Sequence, residues 1–332
     1  MNKYGKAERN PNGPGDARVT ALQIVKDNDM EGKLAGKVVL ITGTSSGIGI
    51  ETVRAMAATG ATIFCAARDE KKNKDALSGI SGKLELLKMD LTSFESVRAA
   101  AKEFLERSGG KLNILIDNAG VMAIPERQLT KDGFEMHLGT NHLAHFLLFQ
   151  LVKSALLASS TPEFNSRVIC LTSSGHRASG IHFDNYNLDG EYDMWVAYGQ
   201  AKTANLYMAN EIERKYGSQG LHGLAVHPGN IATPLQKHVT QEQWAQWSTD
   251  PTIPAIMKST EQGAATTLLA AIGKHYEGVG GRYLEDVGEW GPVEHSPIQS
   301  IVEIGYESWA FDQEKEERLW KDSCKMVGVK DE

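Results

Sequence analysis

The chain has 332 residues, 41% hydrophobic and 23% charged, an ordinary globular composition with length enough for a substantial core. Its 35 basic and 42 acidic residues leave a net charge of −7, which argues against nucleic acid or an anionic membrane as partner, since both call for clustered Lys and Arg. Glycine is the outlier at 33 residues, about 10% against roughly 7% in average proteins, so part of the fold needs backbone freedom or close backbone approach.

Residues 1–36 read as a polar leader without the apolar core of a signal peptide, with a short helix over Thr20–Lys26. From Lys37 short apolar runs alternate with helical stretches. Strands are predicted at Lys37–Thr42, Ala61–Ala66, Lys83–Met89, Leu112–Asp117, Arg167–Thr172 and Gly223–His227, and helices near 47–59, 93–108, 133–160 and 196–216. Several strands are almost wholly apolar, as a sheet covered on both faces requires. The alternation predicts an α/β fold: a Rossmann-type doubly wound parallel sheet with helices on both faces, one domain over 37–325, then a tail at 326–332. The longest apolar run, Leu143–Leu151, is too short for a membrane span, and none is expected. Cys65, Cys170 and Cys324 build no disulfide framework or metal-ligand spacing, so a reduced, cytoplasmic protein without a metal is expected.

The first strand ends in Thr42-Gly43-Thr44-Ser45-Ser46-Gly47-Ile48-Gly49, which opens directly into a helix. That context suits a dinucleotide: Gly43 permits the tight turn, Gly47 lets backbone approach a pyrophosphate, and Gly49 lets helix pack on strand. After the second strand, where an acid would accept the ribose hydroxyls of NAD(H), stands Ala67, followed by Arg68. A guanidinium fork suits a 2′-phosphate, so NADP(H) is favoured over NAD(H), with Asp69 the competing carboxylate.

Further stretches follow in order: Asp90-Leu91 closing the third strand, Asn118-Ala119-Gly120 after the fourth, Tyr198-Gly199-Gln200-Ala201-Lys202, and Pro228-Gly229-Asn230-Ile231-Ala232-Thr233 after the sixth. Together with the glycine loop they resemble the short-chain dehydrogenase/reductase family. Phe134-Glu135-Met136-His137 leading into Asn141-His142, then Ile181-His182-Phe183 and Arg318-Leu319-Trp320, resemble its retinol dehydrogenase and WW-domain oxidoreductase-like branch. The resemblance implies that Gly43, Thr44, Ser45, Ser46, Gly47, Ile48, Gly49, Arg68, Asp90, Leu91, Asn118, Ala119, Gly120, Tyr198, Lys202, Pro228, Gly229, Ile231 and Thr233 hold the cofactor. It also implies homodimers or homotetramers formed through the helices bearing Asn141 and Tyr198.

Hydride transfer to a carbonyl leaves charge on oxygen and needs a positioned acid. Tyr198 and Lys202 lie four apart on a predicted helix, hence on one face, and the ammonium is expected to lower the phenol below its ordinary pKa of about 10. Aligning Arg167 with the basic residue that starts the family's fifth strand puts the serine of the resemblance at Ser173, with Ser174 as a turn residue. Asn141 matches the fourth catalytic residue, which bends a helix and holds a water in a relay to the lysine. His142, His145, His176, His182 and His227 read as structural. A segment at about 234–262, with Trp244, Trp247, Ile253, Ile256 and Met257 amid polar residues and Pro251 and Pro254 bending it, reads either as a lid suited to a hydrophobic or aromatic substrate or as a surface helix. Tyr283, Trp290 and Trp309 are further wall candidates. The leading expectation is an NADP-dependent carbonyl–alcohol oxidoreductase; the alternatives are a catalytically silent NADP(H)-binding sensor or scaffold, and an epimerase, against which the G-x-x-x-G-x-G spacing argues.

Overall fold

The almost wholly apolar runs become the middle of an eight-stranded sheet in a computed structural model that describes residues 4–250, 252–293 and 303–331. The strands are β1 Val38–Thr42, β2 Thr62–Ala67, β3 Lys83–Lys88, β4 Ile114–Asp117, β5 Ser166–Leu171, β6 Leu221–Val226, β7 Arg282–Glu285 and β8 Gly288–Glu289. Their order is β3-β2-β1-β4-β5-β6-β7-β8, parallel throughout except for β8 against β7. β1, β4, β5 and β6 are buried along their whole length, whereas edge strand β3 is largely exposed. The strand order reverses direction between β1 and β4, the point at which an open α/β sheet parts its carboxyl ends into a ligand crevice.

The helices are α1 Gly5–Glu8, α2 Ala21–Asp27, α3 Ile48–Ala58, α4 Glu70–Leu77, α5 Phe94–Ser108, α6 Ala144–Ser159, α7 Met194–Tyr216, α8 Gln241–Trp247, α9 Thr252–Ile256, α10 Thr260–Gly263, α11 Ala265–Ile272 and α12 Gln313–Val327. One core lies on the sheet face covered by α2, α3 and α11, the other beneath α5, α6, α7 and α12. The leader lies against the domain: Val19, Ile24, Val25 and Leu34 are buried in the first core. The run predicted as one helix over 133–160 is instead a π-helical turn, Leu138–Leu143, continuing into α6. Leu138–Ser159 is long and apolar enough to cross a membrane by length and composition. Its apolarity has a structural account, since Phe146, Leu147, Leu148, Phe149 and Val152 are all 0% exposed in the second core.

α12 carries the branch-like Arg318-Leu319-Trp320. Trp320 is buried against Phe146, Phe149 and Tyr216, with ring centroids 4.9, 6.0 and 6.4 Å away. Glu316 accepts from Asn210 and pairs with Arg214, and His142 bonds to Ser323 at 2.9 Å. Arg318 lies 4.3 Å over the Phe183 ring, which ties down the long stretch between Ser173 and Tyr198. α12 therefore sits on α6 and α7, the helices through which the resemblance implied self-association.

Candidate active site

The glycine loop is shaped by steric necessity. Gly43 has φ +75°, and a Cβ there would fall 2.8 Å from the Ala119 Cα. A Cβ on Gly49 would sit 2.2 Å from the Gly43 carbonyl oxygen, so only glycine lets α3 start this close to β1. Gly47 caps α3 without offering a side chain, which leaves the first N–H groups of the helix to an outside acceptor. Asn118 donates to the Thr42 carbonyl at 2.8 Å, while its buried Oδ1 has no partner among the described residues and is an acceptor beside the loop. An uncapped helix end, a backbone cradle and an orphan amide oxygen fit a dinucleotide.

Other expected cofactor residues sort by how their polar atoms are engaged. Thr44 is buried and its hydroxyl donates to Asn73 at 2.8 Å, so it ties the loop to β2 and does not face outward. Asp90 accepts from Thr92 and Lys131, which hold its carboxyl below the usual range against the opposing effect of partial burial; its side chain braces the turn after β3, with Leu91 buried beside it. Arg68 is exposed at the end of β2, next to buried Ala67. The competing Asp69 caps α4, its carboxylate accepting from Lys72 N at 2.9 Å. Ser45, Ser46 and Ile48 line the half-buried loop, Gly120 lies near Asn141 and Lys202, and Pro228 and Gly229 follow β6. Thr233 sits against Gly47, and Ile231 and Ile48 meet over Gly263.

α7 and the loop after β5 bring Ser173, Tyr198 and Lys202 together. Tyr198 and Lys202 are each 5% exposed, the Lys202 Nζ lies 5.7 Å from the phenol ring centroid, and Ser173 hydrogen-bonds to the phenol. Lys202 donates to the Leu171 carbonyl at 3.0 Å. Burial lowers its ammonium to about 8. The expected lowering of Tyr198 is corrected: burial pushes the phenol up to about 12, and only the Ser173 hydrogen bond pulls it down. Tyr198 is thus a neutral phenol at physiological pH. Asn141 is wholly buried in the π turn, its amide engaged at both ends with Val121, accepting at 2.8 Å and donating at 3.0 Å. It pins the segment after Gly120 to the π turn.

Two of the histidines, His176 and His145, act as struts. His176 Nδ1 donates to the Ser173 carbonyl at 2.6 Å and its Nε2 accepts from Glu307 N at 3.2 Å, so it holds the serine loop; burial lowers it to about 4. His145 Nδ1 donates to the Asn141 carbonyl at 2.9 Å, leaving Nε2 to accept from the Thr42 hydroxyl, also at 2.9 Å. That hydroxyl in turn accepts from Asn118 N and Ala119 N, both at 3.0 Å. Thr42 and His145 thus join the two halves of the crevice, a role their spacing in the sequence does not betray. His137, another residue not singled out, stands edge-on to Tyr198 at 6.1 Å and bonds to buried Glu135 at 2.8 Å.

Beyond Thr233 the segment carrying α8 and α9 brings Trp247 within 5.9 Å of Trp195 and 5.4 Å of Trp244. Trp195 begins the turn of α7 that leads to Tyr198, so the segment after Thr233 packs on the start of that helix. Pro251 lies outside the described residues. Tyr283, Trp290 and Trp309 are placed elsewhere: Tyr283 bonds to Glu285, Trp290 to the Glu285 carbonyl and Trp309 to the His176 carbonyl, behind the serine loop.

A sequence model of the short chain dehydrogenase family matches residues 37–244. The chain is 52% identical over 329 residues to the short-chain dehydrogenase/reductase prx1 of Penicillium roqueforti, covering 98% of this chain and 95% of that protein. It is 34% identical over 308 residues to retinol dehydrogenase 11 of Homo sapiens, covering 90% and 87%. A crystal structure of an uncharacterized protein from Mycobacterium paratuberculosis matches with a TM-score of 0.68 at 31% identity, over 90% of this chain and 96% of that one. The NADP complex of Pseudomonas aeruginosa RhlG shares the fold at a TM-score of 0.62 and 23% identity, over 77% and 96%.

Proposed function

The chain belongs to the short-chain dehydrogenase/reductase family, and on that premise we propose that it is an NADP-dependent oxidoreductase interconverting a carbonyl and a primary or secondary alcohol on a hydrophobic small molecule. The observation that carries this reading is the grouping of half-buried Ser173 with buried Tyr198 and Lys202, the lysine lying close to Gly120. A bound nicotinamide supplies hydride exchange at the carbonyl carbon; the rest falls to the chain. Tyr198, its proton retained by burial, donates it to the substrate oxygen as negative charge builds there, and Ser173 shares that oxygen through its hydroxyl. Lys202 is cationic below about pH 8 and favours the phenolate left behind. In the oxidative direction the same phenolate takes the alcohol proton.

Arg68, free of a neighbouring acid because Asp69 caps α4, supports the choice of NADP(H). The Trp195–Trp244–Trp247 group supports an aromatic or otherwise bulky apolar substrate. Tyr198→Phe tests the mechanism in a panel of aryl ketones and aldehydes. Turnover is expected to fall by about two to four orders of magnitude while NADPH binding, followed by its fluorescence, persists. An unchanged rate would overturn the role given to Tyr198.

A further inference from the structure

The N-terminal segment contributes no atom to the site just described, yet it grips the substrate-covering segment by its C-terminal leg. Arg18 is 5% exposed and each of its three guanidinium nitrogens is engaged. Nε donates to Asp16 at 2.9 and 3.0 Å. Nη1 donates to the Ile256 carbonyl at 2.8 Å, and Nη2 to those of Met257 at 2.5 Å, Gly13 at 3.1 Å and Ala255 at 3.4 Å. Three consecutive carbonyls at the end of α9, which the helix itself cannot satisfy, converge on one fork. Gly13 N adds a bond to the Ala255 carbonyl at 2.8 Å.

The grip is anchored on both sides. Gln262 accepts from Gly15 N at 3.0 Å and donates to the Asp16 and Arg18 carbonyls at 3.2 Å each. Lys258, 3% exposed, pairs with Glu8 at 3.2 Å and with Asp286 at 2.7 Å. Its main-chain N–H bonds to the Asn230 carbonyl at 2.8 Å, which fixes where the segment rejoins the motif after β6. A buried guanidinium is costly unless every donor is placed, so the geometry is held closely. Between this leg and Thr233 lies Trp247, packed on Trp195 one turn before Tyr198.

We infer that Arg18 is a positioning residue for substrate binding: by holding the 255–257 leg it sets the height of the aromatic segment over Tyr198, and so the size of carbonyl substrate admitted. This rests on the proposed carbonyl–alcohol activity for its kinetic test, but not for its structural one. In the full chain, Arg18→Ala and the milder Arg18→Lys are compared with wild type for KM and kcat on aryl ketones of increasing bulk, for NADPH affinity, and for tryptic cleavage after exposed Lys237. The expected result is a KM for bulky ketones raised about tenfold with NADPH affinity within about twofold of wild type, faster cleavage after Lys237, and partial reversal by millimolar methylguanidine. A KM that does not move, or one that rises in step with loss of NADPH affinity and without methylguanidine rescue, would overturn the inference. If wild type turns over no carbonyl, the proposed activity fails, and cleavage after Lys237 then decides alone: an unchanged rate in both variants removes the strap.

Discussion

Replacing Thr42 with valine keeps the shape of the side chain and removes one hydroxyl. That hydroxyl accepts from Asn118 N and Ala119 N and donates to His145 Nε2. Asn118 N also reaches the Ile116 carbonyl at 3.0 Å, so the loss strands two buried groups, Ala119 N and the His145 nitrogen. Each stranded group costs about 1–3 kcal/mol, and the added buried methyl returns about 1, for a net loss of about 1–5 kcal/mol. Thr42→Ser keeps the bonds and loses only the methyl, at about 1 kcal/mol. Urea unfolding followed by tryptophan fluorescence reads the stability. The local consequence is larger, because Ala119 abuts Gly43 and any slack there opens the dinucleotide crevice. NADPH affinity of the valine variant is expected to fall on the order of tenfold, with the serine variant near wild type. A valine variant that binds NADPH as tightly as wild type, or a serine variant that is the worse of the two, would show that the hydroxyl does not join the crevice.

Arg68→Ala is expected to weaken NADPH binding about tenfold or more and NADH binding little, in parallel fluorescence titrations; equal weakening refutes the specificity argument. Because α12 covers α6 and α7, the protein is expected to scatter light as a monomer of 36.2 kDa. Trp320→Ala should cost about 3–5 kcal/mol and promote association, and a wild-type dimer bridged by those helices would contradict this. Burial lowers His142 to about 3 and His145 and His176 to about 4, so stability present above pH 6.5 is lost as pH falls towards 4. Burial raises Glu285 to about 7, so its contribution, complete below pH 4.5, is lost as pH rises through 7. Thermal resistance should therefore rise from pH 4 to about 7, the three histidines outweighing Glu285, and Glu285→Gln should steepen that rise; a parallel profile would refute it.

What could be read in the sequence was the chemistry that acts locally. A glycine whose side chain would fall 2.2 Å from a carbonyl oxygen, or a strand buried on both faces, leaves a mark in its own few residues. β7 is four residues long and its Tyr-Leu-Glu finds its place only through pairing with β6, so no periodicity announces it. α4 buries just Asn73 and Leu77 and has no apolar stripe to detect. α12 does have one, through Leu319, Trp320, Cys324 and Val327, but what it covers is set by Phe146, Phe149 and Tyr216, far away in the chain. The leader's Arg18 and Asp16 look like solvated charges until α9 and Gln262 are laid against them.

Motif membership also merges two kinds of residue that hydrogen-bond accounting separates. Thr44, Asp90 and Asn141 belong to the same recognisable pattern as Tyr198 and Lys202, yet their side-chain polar atoms are engaged with Asn73, with Thr92 and Lys131, and with Val121. A buried group with its bonds complete has little to offer a ligand and a great deal to lose by moving, which is the property of scaffold. Asn118 Oδ1 has no partner among the described residues, and Lys202 uses one of its three N–H donors on Leu171. Tyr198 keeps its proton next to Ser173, and Asn118 and Lys202 lie beside Gly43 and Gly120, which stand in the loops that follow β1 and β4. Substitution of the first kind should therefore lower stability and cofactor affinity together, whereas substitution of Tyr198 should leave both intact and remove turnover alone.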